Sequence, residues 1–189
     1  MPIETGSATI GPFFHSVLPW KDGGEMAKPE TKGERITILG RVLDAEGKPI
    51  NDAMVEFWQA NAAGKYNHPE DKEPGEIDPF FQGFGRVPAD ADGRFTVHTI
   101  KPGRVRGLGN SWQAPHINVS VFARGVLKRL VTRLYFRGDP ANESDPVLGL
   151  IEDIERRATV MATHDPNRQG HWHFELNLGG PKETVFFVV

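Results

Sequence analysis

Apolar and polar positions alternate along this chain in short runs separated by turn residues. Between Arg35 and Leu43, Ile36, Ile38, Gly40 and Val42 alternate with Thr37, Leu39, Arg41 and Leu43, and the run ends at Asp44-Ala45-Glu46-Gly47, a hairpin-type turn. Ala53 to Gln59 is a second apolar run. Arg94 to Ile100 alternates Phe95, Val97 and Thr99 with polar residues, and Lys101-Pro102-Gly103 stops it. From His116 to Ala123 the period of two puts His116, Asn118 and Ser120 on one face and Ile117, Val119 and Val121 on the other. Leu127 to Phe136 sets Leu130, Thr132, Leu134 and Phe136 opposite Arg129, Val131, Arg133 and Tyr135. His171 to Leu178 and Glu183 to Val189 are also strand-like. Only Asp145 to Thr163 predicts a helix, with Asp145 as cap, Pro146 in the first turn, and Leu150, Ile151, Ile154 and Val160 at rough helical spacing.

About seven short strands with long loops and one short helical region predict a mostly β fold, an antiparallel β-sandwich. Residues 1–33 are expected to form an N-terminal arm and residues 34–189 the sandwich domain. Within the arm, Ala8-Thr9-Ile10-Gly11-Pro12-Phe13-Phe14-His15 is apolar for a free tail and is expected to lie against a partner. Lys21 to Gly33 is expected to be a solvated connector. Ala60 to Val87 is a long irregular excursion.

Composition narrows the function. A chain of 189 residues, 38% hydrophobic and 25% charged, fits one ordinary globular domain. A net charge of −3 gives no electrostatic reason to expect nucleic acid or an anionic membrane surface. No apolar run approaches the roughly 20 residues of a membrane helix, and no secretory signal pattern is visible, so a cytoplasmic location is expected. The absence of cysteine excludes disulfides, thiolate ligands and a cysteine nucleophile.

The candidate chemistry is sparse. His116 and Asn118 share a strand face and could both point at one ligand; a structural histidine bonded in a loop corner fits the same spacing. His171-Trp172-His173 puts two imidazoles on one face, suited to a cation if a third ligand exists and otherwise to an exposed edge strand. Arg133 is a mid-strand guanidinium, suited either to gripping a carboxylate or to a solvated face. The glycine-rich Gly103 to Gly109 does not lead into a helix as a phosphate loop must, and no Gly-x-Ser-x-Gly elbow is present.

Six segments occur in a telling order: Gly40-Arg41-Val42, Trp58-Gln59-Ala60-Asn61-Ala62-Ala63-Gly64-Lys65-Tyr66, Gly85-Arg86, Thr99-Ile100-Lys101-Pro102-Gly103, Ala114-Pro115-His116-Ile117 and Thr132-Arg133-Leu134-Tyr135-Phe136. Together, from about Thr9 to Val189, the chain resembles the intradiol ring-cleavage dioxygenases, specifically those built from homologous alpha and beta sandwich chains. The resemblance implies a complex that opens 3,4-dihydroxybenzoate with O2 to 3-carboxy-cis,cis-muconate, a step of aromatic-compound degradation on the beta-ketoadipate pathway. It also implies Fe(III) held by the partner beta subunit through two tyrosines and two histidines, a donor set that suits a hard, highly charged ion.

Carried onto this chain, that ligand set is incomplete. Tyr66 matches the first tyrosine and His116 the first histidine of a His-x-His pair, while Asn118 stands for the second. Arg104-Val105-Arg106 stands where the second tyrosine would follow Lys101-Pro102-Gly103, and Gln113 replaces an arginine of the catalytic chain. Tyr135 already matches the family's strand tyrosine, and the sequence holds only 2 tyrosines. The resemblance therefore implies an alpha subunit of a higher-order alpha–beta oligomer, with no catalytic residue and no metal ligand set of its own. It further implies that Thr9, Gly11 and Pro12 line the substrate pocket, with Phe13 where the family often has a phenol, and that Arg133 attracts the substrate carboxylate. The alternatives are an autonomous intradiol dioxygenase with an altered iron site, and a β-sandwich binding module without a redox role.

Overall fold

The computed structural model describes residue 11 and residues 14–188. A short helix, α1 (Phe14–Val17), precedes β1 (Arg35–Leu43), β2 (Met54–Trp58), β3 (Phe84–Pro88) and β4 (Arg94–Ile100). Then come β5 (Val105–Arg106), β6 (Trp112–Gln113), β7 (His116–Phe122) and β8 (Leu130–Phe136). A 3-10 turn (Pro140–Ser144), α2 (Pro146–Gly149) and α3 (Ile154–Ala158) lead to β9 (Met161–His164) and β10 (His171–Asn177).

The main sheet runs β3-β2-β7-β8-β9-β10-β1-β4, and β5 pairs with β6 alone. The fold is mostly β, and most pairings are antiparallel. Two are parallel: β1 with β10 and β8 with β9. Strand β9 joins the two halves of the sandwich, with Met161 opposite Tyr135 of β8 and His164 opposite Trp172 of β10. The core lies between the halves: Ile36, Ile38 and Val42 face Phe57, Ile117, Val119, Val121, Leu134 and Phe136, all buried. Burying each such side chain contributes about 1.5–3 kcal/mol, so this inner face fixes the strand register and leaves the outer face free to carry other residues. Gly40 belongs to the inner face, where a Cβ would come within 1.9 Å of the Phe95 ring.

Three local expectations differ from the structure. The stretch from Gly23 is not a solvated connector. It fills the gap between the edge strands β3 and β4: Arg86 donates to the Gly23 carbonyl, His98 to that of Gly24, and Met26 to that of His98, each at 2.8–2.9 Å. Met26 is 1% exposed and belongs to the core. Unpaired strand edges gain by such cover, and Gly23 permits the close approach because a Cβ there would meet the Arg86 carbonyl at 2.1 Å. Residues 145–163 do not make one helix. Asp145 and Asp153 each cap a separate short helix, Leu150 and Ile154 are 77% exposed, and the chain from Met161 is strand. Among its described residues the C-terminal run makes a single bridge, Phe187 to Val131. No helix among the described residues is long and apolar enough to cross a membrane.

Candidate functional site

The sequence-predicted residues converge on the outer face of the half-sheet β2-β7-β8. Strand register sets Trp58, Asn118 and Arg133 side by side across the three strands, and His116 opposite Tyr135 in the next row. Because successive residues alternate faces, Ile117, Val119 and Leu134 anchor the core while these polar residues look outward.

Tyr66 reaches this row from the excursion after β2. Asn61 holds the turn, its Oδ1 accepting from the Ala63 and Lys65 N–H groups at 2.9 and 3.0 Å, and its amide donating to the Glu76 carbonyl at 2.9 Å. The buried Lys65 pairs with Asp71 at 3.2 Å, and Asp71 accepts from the Tyr66 N–H at 2.7 Å. The phenol ring stacks on Trp58, with centroids 5.6 Å apart. Asn118 Nδ2 donates to the Tyr66 hydroxyl at 3.4 Å and to the Trp58 carbonyl at 3.3 Å. Burial raises the Tyr66 pKa above its ordinary value, opposed by the Asn118 hydrogen bond and the nearby Arg133 charge. A recess of about 330 Å³ opens beside Trp58, Tyr66, His68 and Asp71.

His116 is 3% exposed, its Nδ1 lying 2.8 Å from the Ala114 carbonyl. Burial first, and the Arg133 guanidinium second, lower its pKa to about 4, so the imidazole is neutral near pH 7. Arg133, half-buried, donates through one NH group to Gln113 Oε1 at 2.6 Å and to the Tyr135 hydroxyl at 3.1 Å. The Tyr135 hydroxyl donates in turn to Asp145 Oδ1 at 3.3 Å. Burial raises the Tyr135 pKa, so this phenol stays protonated. Asp145, 3% exposed, also accepts from the Ala114, Val147 and Leu148 N–H groups at 2.7–2.8 Å, tying β8 to the start of β7 and to α2. Sequence reasoning identified Asp145 only as a cap and missed that it closes this network. It noted Gln113 as a departure but not as the acceptor for Arg133.

The other candidates lie elsewhere. Arg104 and Arg106 stack on Trp112 at 5.9 and 4.1 Å, and Val105 between them is buried, so the β5–β6 hairpin offers no phenol to the site. His171 and His173 belong to β10 in the opposite half of the sandwich, with His173 paired to Asp165 at 3.2 Å. Among the described residues no three His, Cys, Asp or Glu side chains form a cation-binding group. A recess of about 770 Å³ also lies over that half, with Arg41, Arg94, Glu175 and Lys182 among its lining, away from Tyr66. Gly11 is exposed, and Thr9 and Pro12 lie outside the described residues.

Fe(III) does not fit this donor set. One half-buried phenol and one neutral imidazole remain, Asn118 presents its amide NH2 to the phenol, and Arg133 is close enough for its charge to act on both. A guanidinium donates and cannot ligate a cation.

Comparison with known proteins shows the family. A family model described as "Dioxygenase" matches residues 10–180. The chain is 39% identical to the protocatechuate 3,4-dioxygenase alpha chain of Pseudomonas putida, over 99% of both chains. It is 38% identical to the beta chain of that enzyme from Burkholderia cepacia, over 95% of this chain and 77% of the other. Among solved structures, the dioxygenase domain of a dioxygenase–carbohydrate-binding fusion from Streptomyces sp. SirexAA-E superposes with a TM-score of 0.65 at 26% identity, covering 95% of this chain and 97% of the other.

Proposed function

The chain belongs to the intradiol ring-cleavage dioxygenase family, and from that membership we propose that it is the non-iron-binding alpha subunit of a protocatechuate 3,4-dioxygenase. The observation that carries the reading is the broken ligand face. Tyr66 and His116 stand in place, while Asn118 and the Arg104-Val105-Arg106 hairpin replace the other two ligands. The partner is a homologous beta subunit holding Fe(III), the complex is a cytoplasmic higher-order alpha–beta oligomer, and the reaction inserts both atoms of O2 into 3,4-dihydroxybenzoate. When bound by the partner, iron supplies the activation of catechol and O2; this chain supplies structure and part of the substrate pocket.

Within this chain, the arm residues Thr9, Gly11 and Pro12 line the pocket against the partner, and Arg133 attracts and holds the substrate carboxylate. Arg133 suits that role: it is half-buried, it enters no ion pair among the described residues, and its Nε and second NH2 group have no protein acceptor there. A guanidinium with an open edge takes a carboxylate through parallel charge-assisted hydrogen bonds.

Co-expression with the beta chain, followed by iron and ring-cleavage assays, tests the assignment. The complex should hold iron and turn over protocatechuate, and this chain expressed by itself should do neither. Arg133→Ala in the complex should raise KM for the carboxylated substrate roughly 10- to 150-fold, the equivalent of ~1.5–3 kcal/mol for one charged hydrogen bond. An unchanged KM would reduce Arg133 to a structural residue.

A further inference from the structure

We infer that Arg86 is a positioning residue: its guanidinium pins the root of the N-terminal arm to the outer face of the sheet and so sets where the arm's pocket residues stand. The inference rests on the proposed placing of Thr9, Gly11 and Pro12 in the substrate pocket, and it names the group of this chain that fixes their starting point.

Burial alone gives the root a weak hold. Phe14 is buried, but Val17, Leu18 and Trp20 are 72%, 46% and 40% exposed. Arg86 of β3 adds a hold with three parts of one side chain. Its Nε and one NH2 group donate to a single oxygen of Glu56, directly opposite on β2, at 2.8 and 2.6 Å. Its other NH2 group donates to the Leu18 carbonyl at 3.2 Å. The guanidinium carbon lies 5.1 Å from the Trp20 ring centroid and 5.6 Å from that of Phe84, within reach of a cation–π attraction. Backbone hydrogen bonds carry the hold outward along the arm. The Leu18 N–H donates to the Phe14 carbonyl at 2.9 Å, and the Phe14 N–H to that of Gly11 at 3.4 Å. Strand register puts this clamp on the face of the candidate site. Phe84, Trp58, Asn118 and Arg133 form one row across β3, β2, β7 and β8. Trp20 packs 5.7 Å from Phe84, so the arm's root stands at one end of that row. Arg133 stands at the other, three strand spacings or about 14 Å from Phe84.

Shape as well as charge makes the clamp. Arg86→Lys keeps a positive charge for Glu56, yet it has no planar face for the two rings and no fork that reaches Glu56 and Leu18 together. Trp20→Ala removes one ring of the clamp from outside the sheet and leaves the sandwich packing alone. Both variants are made in the full-length chain and in its complex with the beta chain. In the chain by itself, tryptic cleavage after Lys21 is followed by mass spectrometry. The rate is normalised to the same bond in a synthetic peptide of residues 14–28, with circular dichroism as the control for folding. In the complex, iron content, kcat and KM for 3,4-dihydroxybenzoate are measured.

Cleavage after Lys21 should accelerate about 5- to 10-fold in both folded variants, as the loss of a partly exposed cation–π contact allows. In the complex both should raise KM about 3- to 10-fold while kcat and iron content stay within about twofold, because ground-state binding is what the arm supplies. A residue that only stabilised the sheet would lower iron content and kcat together and leave KM in place. The inference is overturned if either folded variant is cleaved at the wild-type rate, or if KM is unchanged in complexes of either variant. Should one variant unfold, the other decides. Proteolysis uses neither the partner nor the ring-cleavage reaction, so cleavage at the wild-type rate sinks the clamp and leaves the subunit assignment standing. A wild-type chain that forms no active complex with the beta chain sinks that assignment, and the pocket role of Arg86 with it, whatever the proteolysis shows.

Discussion

Asp145→Ala should be among the most destabilising single substitutions in the protein, because the residue is 3% exposed and bonds to Ala114, Tyr135 and Leu148 of a second buried cluster. Its Oδ1 accepts from the Val147 and Leu148 N–H groups at 2.8 Å and from the Tyr135 hydroxyl at 3.3 Å, and its Oδ2 accepts from the Ala114 N–H at 2.7 Å. Losing a helix cap costs about 1 kcal/mol. Ala114 is fully buried, so its N–H would be left without a partner, a cost of ~1–3 kcal/mol. The Tyr135 hydroxyl keeps Arg133 as a donor to it and adds little to the loss. The total is about 2–4 kcal/mol, or roughly 4–16 °C in Tm for a domain of this size. Asp145→Asn separates the contributions. The amide oxygen still caps α2, but the NH2 group is turned against the Ala114 N–H, so Asn should recover about 1 kcal/mol of the loss and no more. Urea unfolding at constant m-value measures both variants. An Ala variant within ~0.5 kcal/mol of wild type would refute the accounting. An Asn variant as stable as wild type would show that the Ala114 contact carries nothing.

Two further expectations concern the same sheet. His116 is held neutral in the fold, with its pKa lowered to about 4, and it faces Arg133, Tyr135 and Asp145. As pH falls below the unfolded value of about 6.5, the unfolded chain takes a proton that the folded chain refuses. Stability should therefore be complete above about pH 6.5 and decline toward about pH 4, by ~3 kcal/mol from this group. The His116→Gln variant should lose that part of the slope in unfolding free energy against pH, and parallel curves would refute the attribution. Gly40→Ala should cost at least ~1–3 kcal/mol, because its methyl would stand 1.9 Å from the Phe95 ring. Phe95→Leu should relieve part of that cost in the double variant, and strict additivity in denaturant unfolding would rule out the clash as its cause.

The strands were legible because a period of two survives in sequences whose sheets are wet on one side: β1, β4, β7 and β8 appear with little boundary error. The helical stretch was misread because Leu150 and Ile154 keep helical spacing by chance while exposed, and because two capping aspartates eight residues apart point to two short helices as well as to one long one. The cover over the open strand edges was hidden for a different reason. Residues 23–28 pair through backbone groups, and a Gly-Gly pair followed by a single buried Met leaves no periodicity to detect. At the site, the family resemblance located Tyr66, His116 and Asn118. The Gln113–Arg133 bond joins residues 20 positions apart through strand pairing, and the Asp145 network joins three segments, so neither has a local pattern.

On the proposed reading, the same alternation lets one fold serve both an iron-binding chain and a chain that binds none. Every residue of β7 that anchors the sandwich points inward, and every residue a metal would need points outward. Replacing a histidine by Asn118 therefore leaves the packing of Ile117, Val119 and Val121 untouched, whereas the loss of a metal would otherwise strand a phenol and an imidazole on a half-buried face. Here both groups have other partners: Asn118 bonds the phenol, the Ala114 carbonyl bonds the imidazole, and Arg133 supplies a fixed positive charge held by Gln113 and Tyr135. In the proposed assembly, such a face contributes structure and charge while the chemistry resides in the homologous chain.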